Sequence, residues 1–280
     1  MDLQNKVNQL FLSQQNEWEQ LHKSVNQLVD IKEKTLNWGN EFTVKVQFNP
    51  ARIVSTSANI DKKIIEKRPC FLCENNRPEI QKGVQFLEKY VILCNPFPIL
   101  KNHLTIPLHS HVLQRIRNKV SDMLQLAEQL PDYVIFYNGP KSGASAPDHF
   151  HFQAGLKVPE LLQGDNEVRS CFVIEGLDID NTVKLFEEVY KYLRSQQPEE
   201  EEPMLNVIAF SDNNLYKVHI FPRKAHRPKQ YFEEGSKKML VSPGALDMAG
   251  LIITVREEDF NKIDKLDVED IYSQVSLPII

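Results

Sequence analysis

His149, His151 and Gln153 stand at alternate positions in the segment Ala144-Ser-Ala-Pro-Asp-His-Phe-His-Phe-Gln-Ala-Gly155. In an extended strand alternate side chains share a face, so this spacing projects all three to one side. Two imidazoles and a carboxamide make a poor core face but a good cradle for an anionic group that one imidazole attacks. Phe150 and Phe152 take the opposite face and anchor the strand, which Pro147 and Gly155 bracket. A single strand histidine is usually structural, satisfied by a backbone partner; the doubled spacing followed by Gln153 is what favours chemistry here. A neutral imidazole can displace a leaving group from phosphorus, giving a covalent intermediate that a second phosphate resolves. The other ring nitrogen must keep its proton, held by an acceptor. Gln153 cannot donate an acidic proton, but its amide can hold a phosphoryl oxygen, which suits leaving groups that are already good.

Three further constellations could serve such chemistry. The turn Asn138-Gly-Pro-Lys-Ser-Gly-Ala-Ser145 has small residues that let backbone amides approach a phosphate, and Lys141 adds charge. Its place before the histidine strand favours phosphate contact at Asn138, Ser142, Gly143 and Ser145 over an ordinary loop. Cys70 and Cys73 form a C-x-x-C knuckle able to give two thiolates to a metal. A redox dithiol and a pair of buried structural cysteines are the alternatives. Arg223, Lys224, His226, Arg227 and Lys229 crowd seven residues of an otherwise acidic chain. They read as a clamp for a polyphosphate or sugar phosphate, with a solvated loop as the alternative.

The elements that must position these groups can be read from periodicity. Val7, Leu10, Phe11, Trp18, Leu21, Val25, Leu28 and Ile31 keep helical spacing and predict one or two amphipathic helices from Leu3 to about Thr35. Alternation or apolar runs predict strands at Thr43–Phe48, Tyr90–Leu93, His103–Pro107 and Tyr133–Tyr137, the last closed by Asn138-Gly-Pro140. Helices are expected over Val112–Leu130 and Thr182–Leu193. Cys94 and Cys171 stand alone in apolar stretches and read as core.

Gln196-Gln-Pro-Glu-Glu-Glu-Glu-Pro203 carries four consecutive acids between prolines, which repel one another and read as an exposed connector. It divides the chain into residues 1–197, which carry the histidine strand, and residues 204–280, a phosphate- and substrate-binding half, with 198–203 between them. An internal echo supports two related halves: His103-Leu-Thr-Ile-Pro107 and Val218-His-Ile-Phe-Pro222 each run into a proline with a histidine four positions on, His111 and His226. The 280 residues, 41% hydrophobic and 25% charged, are ordinary for a globular protein and long enough to bury a core without staples. A net charge of −5 argues against nucleic-acid binding, and no apolar run has the length of a membrane span. The start of the chain lacks a signal-peptide pattern, and four cysteines are not a disulfide scaffold, so a reducing cytoplasmic compartment is expected.

H-x-H-x-Q after a Gly/Ser-rich turn resembles the histidine triad superfamily, on its nucleotidyltransferase side. That side includes the galactose-1-phosphate uridylyltransferases, the diadenosine tetraphosphate phosphorylases and the GDP-hexose phosphorylases. Asp148-His-Phe-His-Phe-Gln-Ala154 is similar to the N-H-L-H-F-Q-A of the GDP-hexose phosphorylases. The uridylyltransferase form S-N-P-H-P-H-x-Q is similar too, with Asp148 intervening here between Pro147 and His149. Ser242-Pro-Gly-Ala-Leu-Asp-Met-Ala-Gly250 resembles the N-A-L-G-F-A-G of the diadenosine tetraphosphate phosphorylases. The resemblance covers residues 45–155 and, more loosely, 200–255.

The resemblance implies an α+β, histidine-triad-like fold of two related halves, with antiparallel sheets and flanking helices, in which only one half keeps the nucleophile strand. It implies that His151 is the nucleophile, oriented by a backbone carbonyl, and that His149 shapes the site or binds metal. It implies a structural zinc on Cys70, Cys73, His111 and His149, and no organic cofactor. The expected reaction is phosphorolysis of a nucleoside diphosphate sugar or dinucleoside polyphosphate through a nucleotidyl-histidine, with inorganic phosphate or a sugar 1-phosphate as acceptor. A histidine-triad hydrolase and a non-catalytic nucleotide-binding protein are the rivals. The oligomeric state is open and allows a homodimer.

Overall fold

The computed structural model describes residues 1–39, 42–59, 61–158, 161–162, 168–213 and 215–279. Helices α1 (Leu3–Glu17) and α2 (Glu19–Val29) precede strands β1 (Lys32–Trp38) and β2 (Phe42–Phe48). Short helices α3 (Ile53–Thr56) and α4 (Lys62–Ile65) lead to β3 (Gly83–Phe86), β4 (Tyr90–Cys94) and β5 (Leu104–Pro107). Then come α5 (Val120–Gln129), β6 (Tyr133–Asn138), β7 (His151–Leu156), β8 (Phe172–Gly176) and α6 (Ile179–Gln196). The chain continues through β9 (Leu205–Asp212), β10 (Leu215–Pro222), α7 (Ala245–Met248), β11 (Leu251–Thr254), α8 (Glu257–Lys262) and α9 (Lys265–Val275).

The architecture is α+β. One sheet of eight strands, ordered β3-β4-β5-β7-β6-β9-β10-β8, is antiparallel throughout. A second sheet, β1-β2-β11, pairs β1 with β2 antiparallel and β11 with β2 parallel, so it is mixed rather than antiparallel. The strand period of two sorts the large sheet's side chains. Tyr133, Ile135 and Tyr137 of β6, with Phe150, Phe152 and Ala154, join a core beneath α1, α2, α5 and α6. Val134 and Phe136 point the other way, into a second core with β2, α7, β11 and α9. His151 and Gln153 share that second side.

Several boundaries differ from the sequence expectation for identifiable reasons. Helix α2 stops at Val29 because Lys32–Trp38 pairs along the whole length of β2. Only Val120–Gln129 of the expected 112–130 helix forms. Upstream, the backbone is committed elsewhere: Phe150 N donates to Val112 O and Gln114 N to Pro147 O, pinning this segment against the loop before β7. The acidic run is not uniformly solvated. Glu199 and Glu201 are exposed, but Glu202 is buried, its Oε1 accepting from the Ile116 amide at 2.6 Å and its Oε2 from Tyr137 Oη. The large sheet is continuous across this run: β6 pairs with β9, and β8, which precedes it, pairs with β10. Cys94 and Cys171 are both buried thiols. No helix among the described residues is long and apolar enough to cross a membrane.

Candidate active site and metal cluster

His151 opens β7 and is nearly fully buried. Its backbone is bracketed by one side chain: Gln114 Oε1 accepts from His151 N at 2.8 Å, and Gln114 Nε2 donates to His151 O at 3.0 Å. The same Nε2 donates to Asn138 O, so Gln114 stitches the end of β6 to the start of β7 where their ladder stops. The ring Nδ1 lies 2.8 Å from His149 O. A carbonyl can only accept, so Nδ1 carries the proton and Nε2 keeps the lone pair of the neutral ring. Burial pushes the ring's pKa down to about 4, which keeps it neutral.

His151 and Gln153 line a cavity of about 540 Å³. Part of its wall is the turn before β7, through Asn138, Gly143, Ala144 and Ser145; the adjoining part is His226, Arg227, Ser242 and Gly244. The two turns touch backbone to backbone. Gly143 has φ +95°, and a Cβ on it would sit 2.7 Å from Gly244 Cα, so no other residue fits without displacing one turn. Arg52 and Arg68 add cationic lining, and Trp18, Phe71 and Phe97 supply an apolar side. Burial draws the Arg52 guanidinium down to about 10, still a cation at neutral pH. Arg52, Arg68 and Arg227 give the cavity a cationic lining, with Asp247 also in the wall and Arg68 paired with Asp148.

The other expected contacts fall in different places. Asn138 reaches the cavity wall, but its Oδ1 is engaged by Ala245 N at 2.7 Å and Asn206 Nδ2 at 2.9 Å, bracing one turn against the other. Ser142 is fully buried, its carbonyl accepting from Asn206 Nδ2. Arg223, expected at the ligand, is entirely buried away from it. Its five N–H groups go to Val275 O, Asn206 Oδ1, Pro243 O, Ala225 O and His226 O. Lys224 is exposed and off the cavity, and Lys141 pairs with Glu200. Arg227 does line the cavity, with Nε on Ser242 Oγ and Nη2 on the carbonyls of Thr56 and Ala58. The sequence gives no site role to Arg52, Arg68, His103 or Gln114: Arg68 stands just before the cysteine knuckle and His103 opens an expected strand, Arg52 and Gln114 lie in segments without a motif, and Trp18 reads only as a helical apolar position.

His149 precedes β7, and its ring leaves the cavity rather than sharing a face with His151. Its Nε2 donates to Leu108 O at 2.8 Å, which leaves Nδ1 unprotonated and facing Cys70 Sγ at 3.3 Å and Cys73 Sγ at 3.5 Å. His111 Nδ1 is 3.2 Å from Cys73 Sγ. One ligand atom from each of Cys70, Cys73, His111 and His149 lies within 4.8 Å of the others. Donor atoms on a zinc tetrahedron with bonds of about 2.0–2.3 Å stand roughly 3.3–3.8 Å apart, so these four residues could hold a metal ion. Asp148 links the two centres: its Oδ1 accepts from Arg68 Nη2 at 2.9 Å, and its Oδ2 is 3.8 Å from His111 Nε2.

The fold and these two centres define an α+β protein with an arginine-lined cleft beside a Cys₂His₂ cluster. The chain belongs to the family described as Domain of unknown function (DUF4922), which matches residues 10–156, just over half of it. No curated protein matches it. Among solved structures, yeast Ap4A phosphorylase Apa2 superimposes with a TM-score of 0.66 at 16% identity, covering 94% of this chain and 98% of that one. Its complex with AMP gives 0.63 at 18% identity (93% and 97% covered), and its complex with Ap4A 0.63 at 16% (94% and 98%). At these identities the likeness is one of fold.

Proposed function

We propose that the protein is a nucleotidyltransferase that phosphorolyses a dinucleoside polyphosphate through a covalent nucleotidyl-His151. The observation that carries this reading is the His151 tautomer: Nδ1–H on the His149 carbonyl leaves Nε2 as a neutral nucleophile on a ring lining a cavity with three arginines. In the first step Nε2 attacks an α-phosphorus; the P–N bond forms as the P–O bond to the outgoing polyphosphate breaks. Arg52, Arg68 and Arg227 are assigned to the charge on that chain, and the 143–145 backbone to the phosphates nearest His151. In the second step an oxygen of inorganic phosphate attacks the same phosphorus, the P–N bond breaks, and His151 returns to its neutral form. A phosphate leaving group needs no general acid, which agrees with Gln153 standing where a proton donor could have been.

The likeness to Ap4A phosphorylase Apa2 over nearly the whole chain favours a dinucleoside polyphosphate over a nucleoside diphosphate sugar as the donor. A sugar 1-phosphate in place of phosphate would use the same two steps. The Cys₂His₂ cluster is assigned to zinc held by Cys70, Cys73, His111 and His149, which would clamp the knuckle to the start of β7. Its place is structural: closed four-residue sites of this kind leave no open position for substrate.

Incubation with Ap4A and intact-protein mass spectrometry tests the reading. A nucleotidyl adduct that phosphate discharges, and that His151→Ala cannot form while its circular dichroism matches wild type, is the expected result. Turnover to nucleoside monophosphate without phosphate would instead make the protein a hydrolase, and tight binding with no turnover a binding protein.

A further inference from the structure

A carboxamide has nearly the same shape whichever way it is turned, but its two ends have opposite polarity. Which end of Gln153 faces the cavity therefore decides whether it attracts or repels a phosphoryl oxygen. The surroundings settle the direction. Ile99 N lies 3.1 Å from His103 Nδ1, and a backbone amide can only donate, so Nδ1 is the acceptor and carries no proton. The neutral ring's proton is then on Nε2, which lies 3.0 Å from Gln153 Oε1. Nε2–H must donate there, and the oxygen end of Gln153 is consumed. What remains toward the cavity is the NH₂ end, two N–H donors on a side chain two residues from His151 and on the same face of β7.

His103 is fully buried against the Phe136 ring, 5.6 Å between centroids. Charging it would put a proton on Nδ1 against the Ile99 amide, and burial together with the Arg52 cation opposes that as well, holding its pKa down to about 3. The ring has one tautomer available, so its donor never turns into an acceptor.

We propose that His103 is a positioning residue which, anchored by the Ile99 amide, locks Gln153 with its N–H donors facing the phosphoryl group bound at His151. The proposal rests on the reading of the cavity as a nucleotidyl-transfer site. Donors fixed in advance where phosphoryl charge accumulates speed the step in which that charge grows; a carbonyl in the same place would set lone pairs against the oxygens. The effect belongs to kcat, since substrate is held chiefly by the arginines.

Two substitutions separate this role from simple bracing of the β4–β5 turn. His103→Asn keeps an acceptor near Ile99 N but cannot reach Gln153. His103→Gln places an amide near the Nε2 position and can still donate to Gln153. We expect His103→Asn to lower kcat for Ap4A phosphorolysis at least about tenfold with KM within about twofold, and His103→Gln to recover most of that loss. In a Gln153→Ala background the Asn substitution should cost nothing further. A turn-bracing role predicts the reverse order, with Asn active and Gln impaired, and that order would overturn the proposal, as would an equal loss in the Gln153→Ala background. If wild-type protein forms no nucleotidyl adduct, it is the functional reading that has failed. The side-chain NH₂ resonances of Gln153, assigned in nitrogen-15-labelled protein by their loss in Gln153→Ala, then decide the orientation: a shift on adding inorganic tripolyphosphate that His103→Asn removes upholds it, and no shift in the wild-type protein refutes it.

Discussion

Arg223 and Lys224 are adjacent in sequence and opposite in circumstance. The first is buried with all five donors satisfied; the second is in solvent. Removing Arg223 strands buried acceptors on Asn206 and on the backbone of Val275, Pro243, Ala225 and His226, and the Pro243 carbonyl belongs to the turn that carries Gly244 against Gly143. We expect Arg223→Ala to destabilise the fold by about 3–5 kcal/mol in urea unfolding, and Lys224→Ala to stay within about 0.5 kcal/mol. Comparable effects of the two would mean that the basic run acts as a surface patch. Arg227, by contrast, should show its loss in KM for a polyphosphate, because one edge of its guanidinium is taken by Thr56 and Ala58 while the residue still lines the cavity.

Strand β7 is held on three sides, and each restraint is local enough to remove. Phe150 and Phe152 lie on the core face with rings 4.9 Å apart and edge to face, both fully buried. Phe152→Ala should cost about 3–5 kcal/mol, the usual range for a buried phenylalanine, read from the urea midpoint at constant slope. Gln114 fastens the first residue of the strand, and the Cys₂His₂ cluster fastens His149 just before it. Purified protein should contain about one zinc per chain by elemental analysis, on the ligand count of a closed tetrahedral site. Cys70→Ser should lose that metal and lower the melting temperature, since ligand binding to the native state alone adds to its stability. A metal-free protein of unchanged melting temperature and full activity would remove zinc from the account.

Across the whole molecule, the acidic run is tied to the site through Glu202. Its carboxylate accepts from Tyr137 Oη and the Ile116 amide; Tyr137 Oη also lies 3.1 Å from Gln114 O, and the Gln114 side chain brackets His151. Burial raises Glu202 from 4.5 to about 7. An acid whose folded pKa is raised binds more protons in the native state than in the unfolded state, so stability falls as pH rises through the window from about 4.5 to about 7. Glu202→Gln removes that slope. The stability of the variant relative to wild type should therefore rise between pH 5 and pH 8, by on the order of 2 kcal/mol, in paired urea titrations. A constant difference across that range would show that the carboxylate is solvated in solution.

How far the sequence speaks for this protein depends on the range of the interactions concerned. The strand carrying His151 and Gln153 was legible because its alternation is a property of the backbone: Phe150 and Phe152 on one face force His151 and Gln153 onto the other, whatever surrounds them. The knuckle at Cys70 and Cys73 was legible for the same reason, being a turn closed by its own residues, with Cys73 N donating to Cys70 O. The direction in which His149 turns was not, because it is decided by the Leu108 carbonyl 41 positions away in the chain. Arg223 looked like a ligand contact because composition registers charge but not depth, and its acceptors arrive from Asn206, Pro243 and Val275. Arg52 and Gln114 carry no local signal, and Arg68 and His103 stand beside legible elements, the knuckle and an expected strand, that do not say what their side chains meet; all four reach the site only once the 50–52, 68–73 and 112–116 segments close around β5 and β7. Local periodicity decided which side chains share a face with His151 in β7, and long-range hydrogen bonds, which no window of sequence contains, decided the tautomers and the cationic lining.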